Sequence, residues 1–153
     1  MNIIIFGSDY LVFVIILLFI FAFLFFDKKA KFDLIKLGII TLPLAYLLGH
    51  LGSLLINNPR PFIQENIKPL AKAVYDNGFP SDHTLFVMTI AFLIFAIKPK
   101  IGMPFIILGL FVGIFRIFAK LHYPIDIIGS ILIAGITSLI CFYFLKYYKV
   151  IKG

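Results

Sequence analysis

Five apolar runs divide this chain, and each is long enough to approach or exceed the width of a bilayer's hydrocarbon core. They extend from about Tyr10 to Phe26 (with a start as early as Ile3), Leu34 to Ile56, Ser81 to Ile97, Ile101 to Ala119 and Ile125 to Tyr147. Lipid offers no water to backbone N–H and C=O groups, so segments of this kind must satisfy them internally and form helices. The expected fold is therefore all-α, a polytopic membrane helix bundle of about five transmembrane helices in one domain over residues 1–153. The third run is short, and at ~1.5 Å per residue it only just crosses, which places its start below the membrane surface.

Charged residues are confined to the connections and to the ends of the runs. The net charge is +7, but the lysines fall in small clusters between apolar runs, which argues for membrane topology and against a nucleic-acid partner. The single cysteine, Cys141, excludes an intrachain disulfide and any multi-cysteine metal site. The first run has no Lys or Arg before it and reads as a retained helix. Phenylalanine-rich and without a polar stripe, it is expected at the lipid-facing rim. The later runs carry small residues four apart: Ala45, Gly49 and Ser53; Gly109 and Gly113; Ser130, Ala134 and Ser138. Such spacing lets backbones approach closely. In the longest connection, Asn57 to Pro80, Ile67, Leu70, Ala71, Val74 and Tyr75 follow a helical period, which predicts a short interfacial helix there.

Three polar islands interrupt this pattern: Pro59-Arg60-Pro61, Phe79-Pro80-Ser81-Asp82-His83-Thr84, and Arg116 with His122 and Asp126. The span count alone brings them together. Run two ends at the first island and run three starts at the second. Run four ends at Arg116, and run five starts beside His122 and Asp126. Alternating direction puts all four ends on one face. The opposite face carries Lys28, Lys29, Lys31, Lys36, Lys98, Lys100, Lys146, Lys149 and Lys152, nine cations against five on the island face. By the positive-inside rule the lysine-rich face is cytoplasmic, so the islands face the extracytoplasmic side of the cytoplasmic membrane.

The islands contain the parts of an anion-processing site. Arg60 and Arg116 present planar forks that match phosphate oxygens. Ser81 is placed to cap the third helix, whose N-terminal N–H groups favour an anion, and Thr84 adds a hydroxyl. His122 and Asp126, four apart, share a helical face, so the carboxylate can fix one ring nitrogen and leave the other free to attack. Taken alone that pair reads as a structural cap. Beside two arginines it reads as a nucleophile and its orienting group. His83 is the candidate acid. His83, His122, Asp82 and Asp126 could also ligate zinc, but two arginines in the same cavity would repel a cation. The reading is therefore metal-independent, with no cofactor. His50, within the second run, has no assigned role.

These residues resemble the type 2 phosphatidic acid phosphatase (PAP2) superfamily, whose signature is KxxxxxxRP, PSGH and SRxxxxxHxxxD. The matching stretches are SLLINNPRP, PSDH and FRIFAKLHYPID, spanning Ser53 to Asp126. The resemblance implies a phosphohistidine at His122 oriented by Asp126, protonation of the leaving group by His83, and phosphate held by Arg60, Arg116 and Ser81. Three positions depart from it. Ser53 replaces the family lysine, with Lys120 or a loop lysine as candidate substitutes. Phe115 replaces a serine, and Asp82 a glycine. The PSDH form resembles the bacitracin-resistance subgroup, which implies undecaprenyl (polyprenyl) pyrophosphate as substrate, in recycling of the carrier lipid for peptidoglycan and other envelope polymers. Phosphatidic acid or phosphatidylglycerophosphate is the alternative substrate. A non-catalytic lipid-phosphate binder is the third reading, and a channel is disfavoured because the polar residues cluster at one end.

Overall fold

The computed structural model describes residues 2–151, which places Lys152 outside the described residues. It is helical throughout, with no strand among the described residues. The elements are α1 (Ile3–Leu24), α2 (Lys28–Leu55), the single turn α3 (Pro61–Gln64), α4 (Asp82–Ile97), α5 (Pro99–Phe118) and α6 (Pro124–Tyr147). Four of them are long and apolar enough to span a membrane, and α4 is a shorter apolar helix of 16 residues. The protein is an integral membrane protein built as a polytopic helix bundle.

Local chemistry sets the helix boundaries. Asp27 caps α2 by accepting the Ala30 N–H at 3.1 Å and pairs with Lys98 at 2.6 Å, tying two lysine-rich turns together. Pro99 and Pro124 open α5 and α6, where a missing N–H costs nothing.

The short helix α4 lies at the centre. Nine of its 16 residues are buried, and it packs against α2, α5 and α6. An apolar helix buried around its circumference is an interior element. Some of the small-residue positions are sites of close helix packing. A Cβ on Gly109 would stand 2.5 Å from Met88 Sδ, and one on Gly113 2.5 Å from Ile127 Cγ2, so α5 approaches α4 and α6 only because these residues are glycine. Ala45, Gly49, Ser130, Ala134 and Ser138 are all buried. At the rim, α1 presents Phe13, Leu17, Phe21 and Leu24 outward and buries Val12 and Ile15.

The helix predicted over Ile67 to Tyr75 does not form. The connection's one helical turn is α3, earlier in the chain, and residues 67–80 are irregular. The backbone donors of this stretch are claimed by tertiary partners: Leu70 N–H by the Ala119 carbonyl, and Lys72 N–H by Asp9. Asn77 pins the loop's end. Its amide donates to the Ser53 and Ile56 carbonyls at 2.7 Å, and its Oδ1 accepts the Asn58 N–H at 2.9 Å. Pro69 additionally disfavours helix at Lys68. Phe79 anchors the loop on α6, its ring against Gly129 where a Cβ would overlap it.

Candidate active site

His122 stands in the turn between α5 and α6 and is almost fully buried, at 1% exposure. Its Nε2 lies 3.0 Å from Nη1 of Arg60 and 3.4 Å from Nη2 of Arg116. Guanidinium nitrogens only donate, so Nε2 must be the accepting, unprotonated nitrogen. The proton sits on Nδ1, which donates to the Gly78 carbonyl at 2.8 Å, with Asp126 Oδ2 at 3.5 Å. The neutral ring thus turns its lone pair toward two cations. Burial holds the His122 pKa below the ordinary imidazole value, and the charges of Arg116 and Arg60 act the same way while Asp126 opposes them.

Asp126, in the first turn of α6, is fixed on several sides. Oδ1 accepts Asn58 Nδ2 at 2.7 Å and Oδ2 accepts the Tyr123 N–H at 2.8 Å. The nearer partner of His122 Nδ1 is therefore the Gly78 carbonyl, with Asp126 second. Gly78 is confined too: a Cβ there would stand 2.8 Å from the Asn58 carbonyl oxygen.

Each arginine is buried to about 5% exposure and carries its own carboxylate. Arg60 Nε donates to Asp76 Oδ1 at 2.7 Å, and its Nη1 is also 3.3 Å from the Leu121 carbonyl. Arg116 Nη1 faces Asp9 Oδ1 at 3.9 Å, and Arg116 Nε is buried yet donates to no protein group. A buried guanidinium donor without a partner is costly. On the same edge of the fork as Nη2, it is suited to a phosphate oxygen beside His122.

Ser81 occupies the N-cap position of α4 but makes no side-chain cap. Its hydroxyl accepts from Thr84 Oγ1 at 3.1 Å, and its carbonyl accepts from Ser130 Oγ at 3.0 Å. Ser81 and Thr84 are fully buried. His83, half-buried, lies within electrostatic reach of Arg116, His122 and Arg60. Asp82 is exposed and lines an apolar crevice with Leu42, Ala45 and Tyr46, within electrostatic reach of Arg116.

Lys120 and Ser53, the candidate substitute and the residue at the family lysine's position, each have a partner of their own. Lys120, at a left-handed φ of 62°, pairs with Glu65 at 3.2 Å on the surface. The Ser53 hydroxyl donates to the His50 carbonyl within α2. Among the described residues no three His, Cys, Asp or Glu side chains form a metal cluster. Sequence reading passed over Asp9, Asn58, Asp76 and Gly78. The polar Asn57-Asn58 and Asp76-Asn77 pairs flanking the loop were the available signal for two of them.

A buried histidine between two guanidiniums, at one end of a membrane bundle, is an arrangement suited to phosphate chemistry, the class of protein to which the sequence comparisons also point. Residues 33–149 match the PAP2 superfamily, and the chain belongs to that family. It is 30% identical over 143 residues, 94% of this chain and 74% of the relative, to the undecaprenyl-diphosphatase BcrC of Bacillus subtilis (strain 168). It is 36% identical over 107 residues, 69% of this chain and 53% of the relative, to the protein named bacitracin transport permease protein BcrC of Bacillus licheniformis.

Proposed function

We propose that the protein hydrolyses undecaprenyl or a similar polyprenyl pyrophosphate to the monophosphate, through a phosphohistidine at His122 and without a metal. The observation that carries this is the neutral His122 Nε2 held between Arg60 and Arg116, with a buried, unpartnered Arg116 Nε beside it. Nε2 attacks the terminal phosphorus while the arginines, with Ser81 and Thr84, hold its oxygens. The bond to the bridging oxygen breaks, and the lipid monophosphate leaves with a proton from His83. Asp126 and the Gly78 carbonyl stabilise the charge that develops on the ring. Water then attacks the phosphohistidine, giving its proton to His83, and inorganic phosphate departs.

A lipid substrate is further supported by an apolar cavity of about 720 Å³ between α1, α2 and α4. It shares Leu42 and Phe86 with the crevice that reaches Asp82, so hydrocarbon surface leads up to the residue beside His83. The polyprenyl tail lies there in this reading. The site faces the extracytoplasmic side, so the product re-enters carrier-lipid recycling.

The test is phosphate release by purified protein in detergent with EDTA, comparing undecaprenyl pyrophosphate, phosphatidic acid and phosphatidylglycerophosphate. Preference for the pyrophosphate supports the proposal. Preference for a glycerolipid keeps the chemistry and overturns the substrate, and no release from folded protein leaves a lipid-phosphate binder.

A further inference from the structure

Both arginines of the site are matched by carboxylates from outside the three motifs, and one of these comes from a part of the chain that the family match does not include. Asp9 belongs to α1, whereas the match begins at residue 33. Its side chain is 9% exposed and that of Arg116 6%, with Oδ1 at 3.9 Å from Nη1. Its other oxygen accepts the Lys72 N–H at 3.1 Å, which joins α1 to the loop over the site. Asp9 also lies within electrostatic reach of His83.

The local structure is built to bring it there. Phe6–Tyr10 forms a widened π turn inside α1, a feature that shifts the side chains of a helix relative to its axis. Gly7 in that turn lies against the ring of Phe115, where a Cβ would stand 2.1 Å from Cδ2. Phe115 is the residue just before Arg116, and it replaces the serine of the family signature. The contact that needs glycine at position 7 and tolerates an aromatic at 115 thus docks α1 and sets Asp9 against the phosphate-holding arginine.

We infer that Asp9 is a counter-ion of the site: it offsets the charge of Arg116 between turnovers and weakens the hold on phosphate, so that free inorganic phosphate is not retained after hydrolysis. This rests on the phosphatase reading above. A carboxylate beside an arginine repels any phosphate that the arginine attracts, and juxtaposed like charges in a desolvated site are expensive. A substrate with a hydrocarbon tail offsets that cost through apolar burial. The penalty applies to substrate and product alike, but inorganic phosphate has only its charge to hold it and departs, whereas the tail retains the substrate. Asp9 touches neither the reacting phosphorus nor the leaving group, and it acts through Arg116.

The experiment measures inorganic phosphate against the full-length protein in detergent, both as a competitive inhibitor of turnover and by direct binding. Wild type is compared with Asp9→Asn, Asp9→Ser and Asp9→Glu. Asparagine retains an acceptor for the Lys72 N–H, so the loop tether survives while the charge is lost. The expected result is phosphate affinity raised roughly tenfold or more in both neutral variants and near wild-type affinity in Asp9→Glu. Unchanged or weaker phosphate binding in the neutral variants overturns the inference and leaves Asp9 as a tether for Arg116 and the loop. Direct binding separates this from the parent reading. If no variant turns over lipid yet the neutral ones bind phosphate more tightly, the phosphatase reading fails and the counter-ion stands. Absence of both lipid turnover and phosphate binding in all of the folded proteins overturns both, and turnover without any gain in phosphate binding overturns the counter-ion alone.

Discussion

Nε2 of His122 accepts a hydrogen bond from Nη1 of Arg60 at 3.0 Å, so the atom proposed to attack phosphorus is held against the group proposed to hold the phosphate oxygens. Proximity of this kind does two things. It fixes the neutral Nδ1–H tautomer, because a guanidinium cannot accept, and it places the nucleophile where an arginine-bound phosphate would stand.

Replacing His122 with alanine should abolish turnover while the bundle persists, since the ring sits in a turn and not in a helix–helix contact. The measurement is phosphate release alongside far-UV circular dichroism of the same preparation. Turnover retained in folded His122→Ala protein removes the ring as nucleophile. Acid-labile radiolabel retained by wild type after quenching, and absent from the variant, would identify the covalent intermediate.

The pH profile follows from the depressed pKa of His122. The attacking form is neutral, so activity is lost as pH falls through the pKa of the folded site, and that midpoint should lie below the ordinary imidazole value of about 6.5. Removing a cation relieves part of the depression, so in Arg60→Gln the acid limb of kcat/KM should move upward. Removing the opposing carboxylate, as in Asp126→Asn, should move it downward. An acid limb that shifts the other way in both variants would assign it to a different group.

Either arginine should be worth on the order of 10²–10³ in rate, as expected of a group aimed at developing charge. Lysine should not restore it. Arg116 uses Nη2 toward His122 and Nη1 toward Asp9 and retains a buried Nε, a division that a single ammonium cannot reproduce. Steady-state rates of Arg116→Lys and Arg116→Gln decide it: similar losses support the fork geometry, and near wild-type activity in the lysine variant argues that only charge matters.

The bundle was legible because lipid leaves so few alternatives. Hydropathy located the five runs, and alternating direction gathered Arg60, Ser81, Arg116 and His122 at one end before any contact was known. The loop was not legible. The helical period of Ile67 to Tyr75 is real in the sequence, but it carries no information about where the backbone donors go, and Asp9, Ala119 and Asn77 take up the loop. In the sequence Asp9 is a lone charge ahead of an apolar run. Its place beside Arg116 depends on a π turn and on the Gly7–Phe115 contact, both of which are properties of packing. Asn58 was hidden similarly, since its partner Asp126 lies 68 residues away.

Asn58→Ala tests that hidden partner. A hydrogen bond to a buried carboxylate is worth about 1.5–3 kcal/mol. Asp126 would retain the Tyr123 N–H but lose its fixed orientation toward His122. The rate should fall by roughly tenfold to a hundredfold with KM little changed, because the Asn58 amide donates to Asp126 and not to the phosphate-holding groups. A large rise in KM with kcat preserved would move Asn58 from positioning Asp126 to binding substrate.

Gly38 offers a test of where the tail lies. It lines the apolar cavity, and a Cβ there meets only ordinary contacts, 3.9 Å from Leu93 Cδ1 and 4.0 Å from Leu42 Cδ1. Leucine at this position projects into the cavity without forcing the helices apart, and it improves helix propensity by up to about 1 kcal/mol. Gly38 lies seven residues from Ala45, which lines the crevice beside Asp82, so a side chain there obstructs the groove about 10 Å from the headgroup site. Gly38→Leu should therefore raise KM for undecaprenyl pyrophosphate roughly tenfold and leave a short water-soluble pyrophosphate unaffected. Equal effects on both would indicate that the substitution disturbs the bundle. No effect on either would place the tail on another face of the bundle, and the cavity would then hold ordinary membrane lipid.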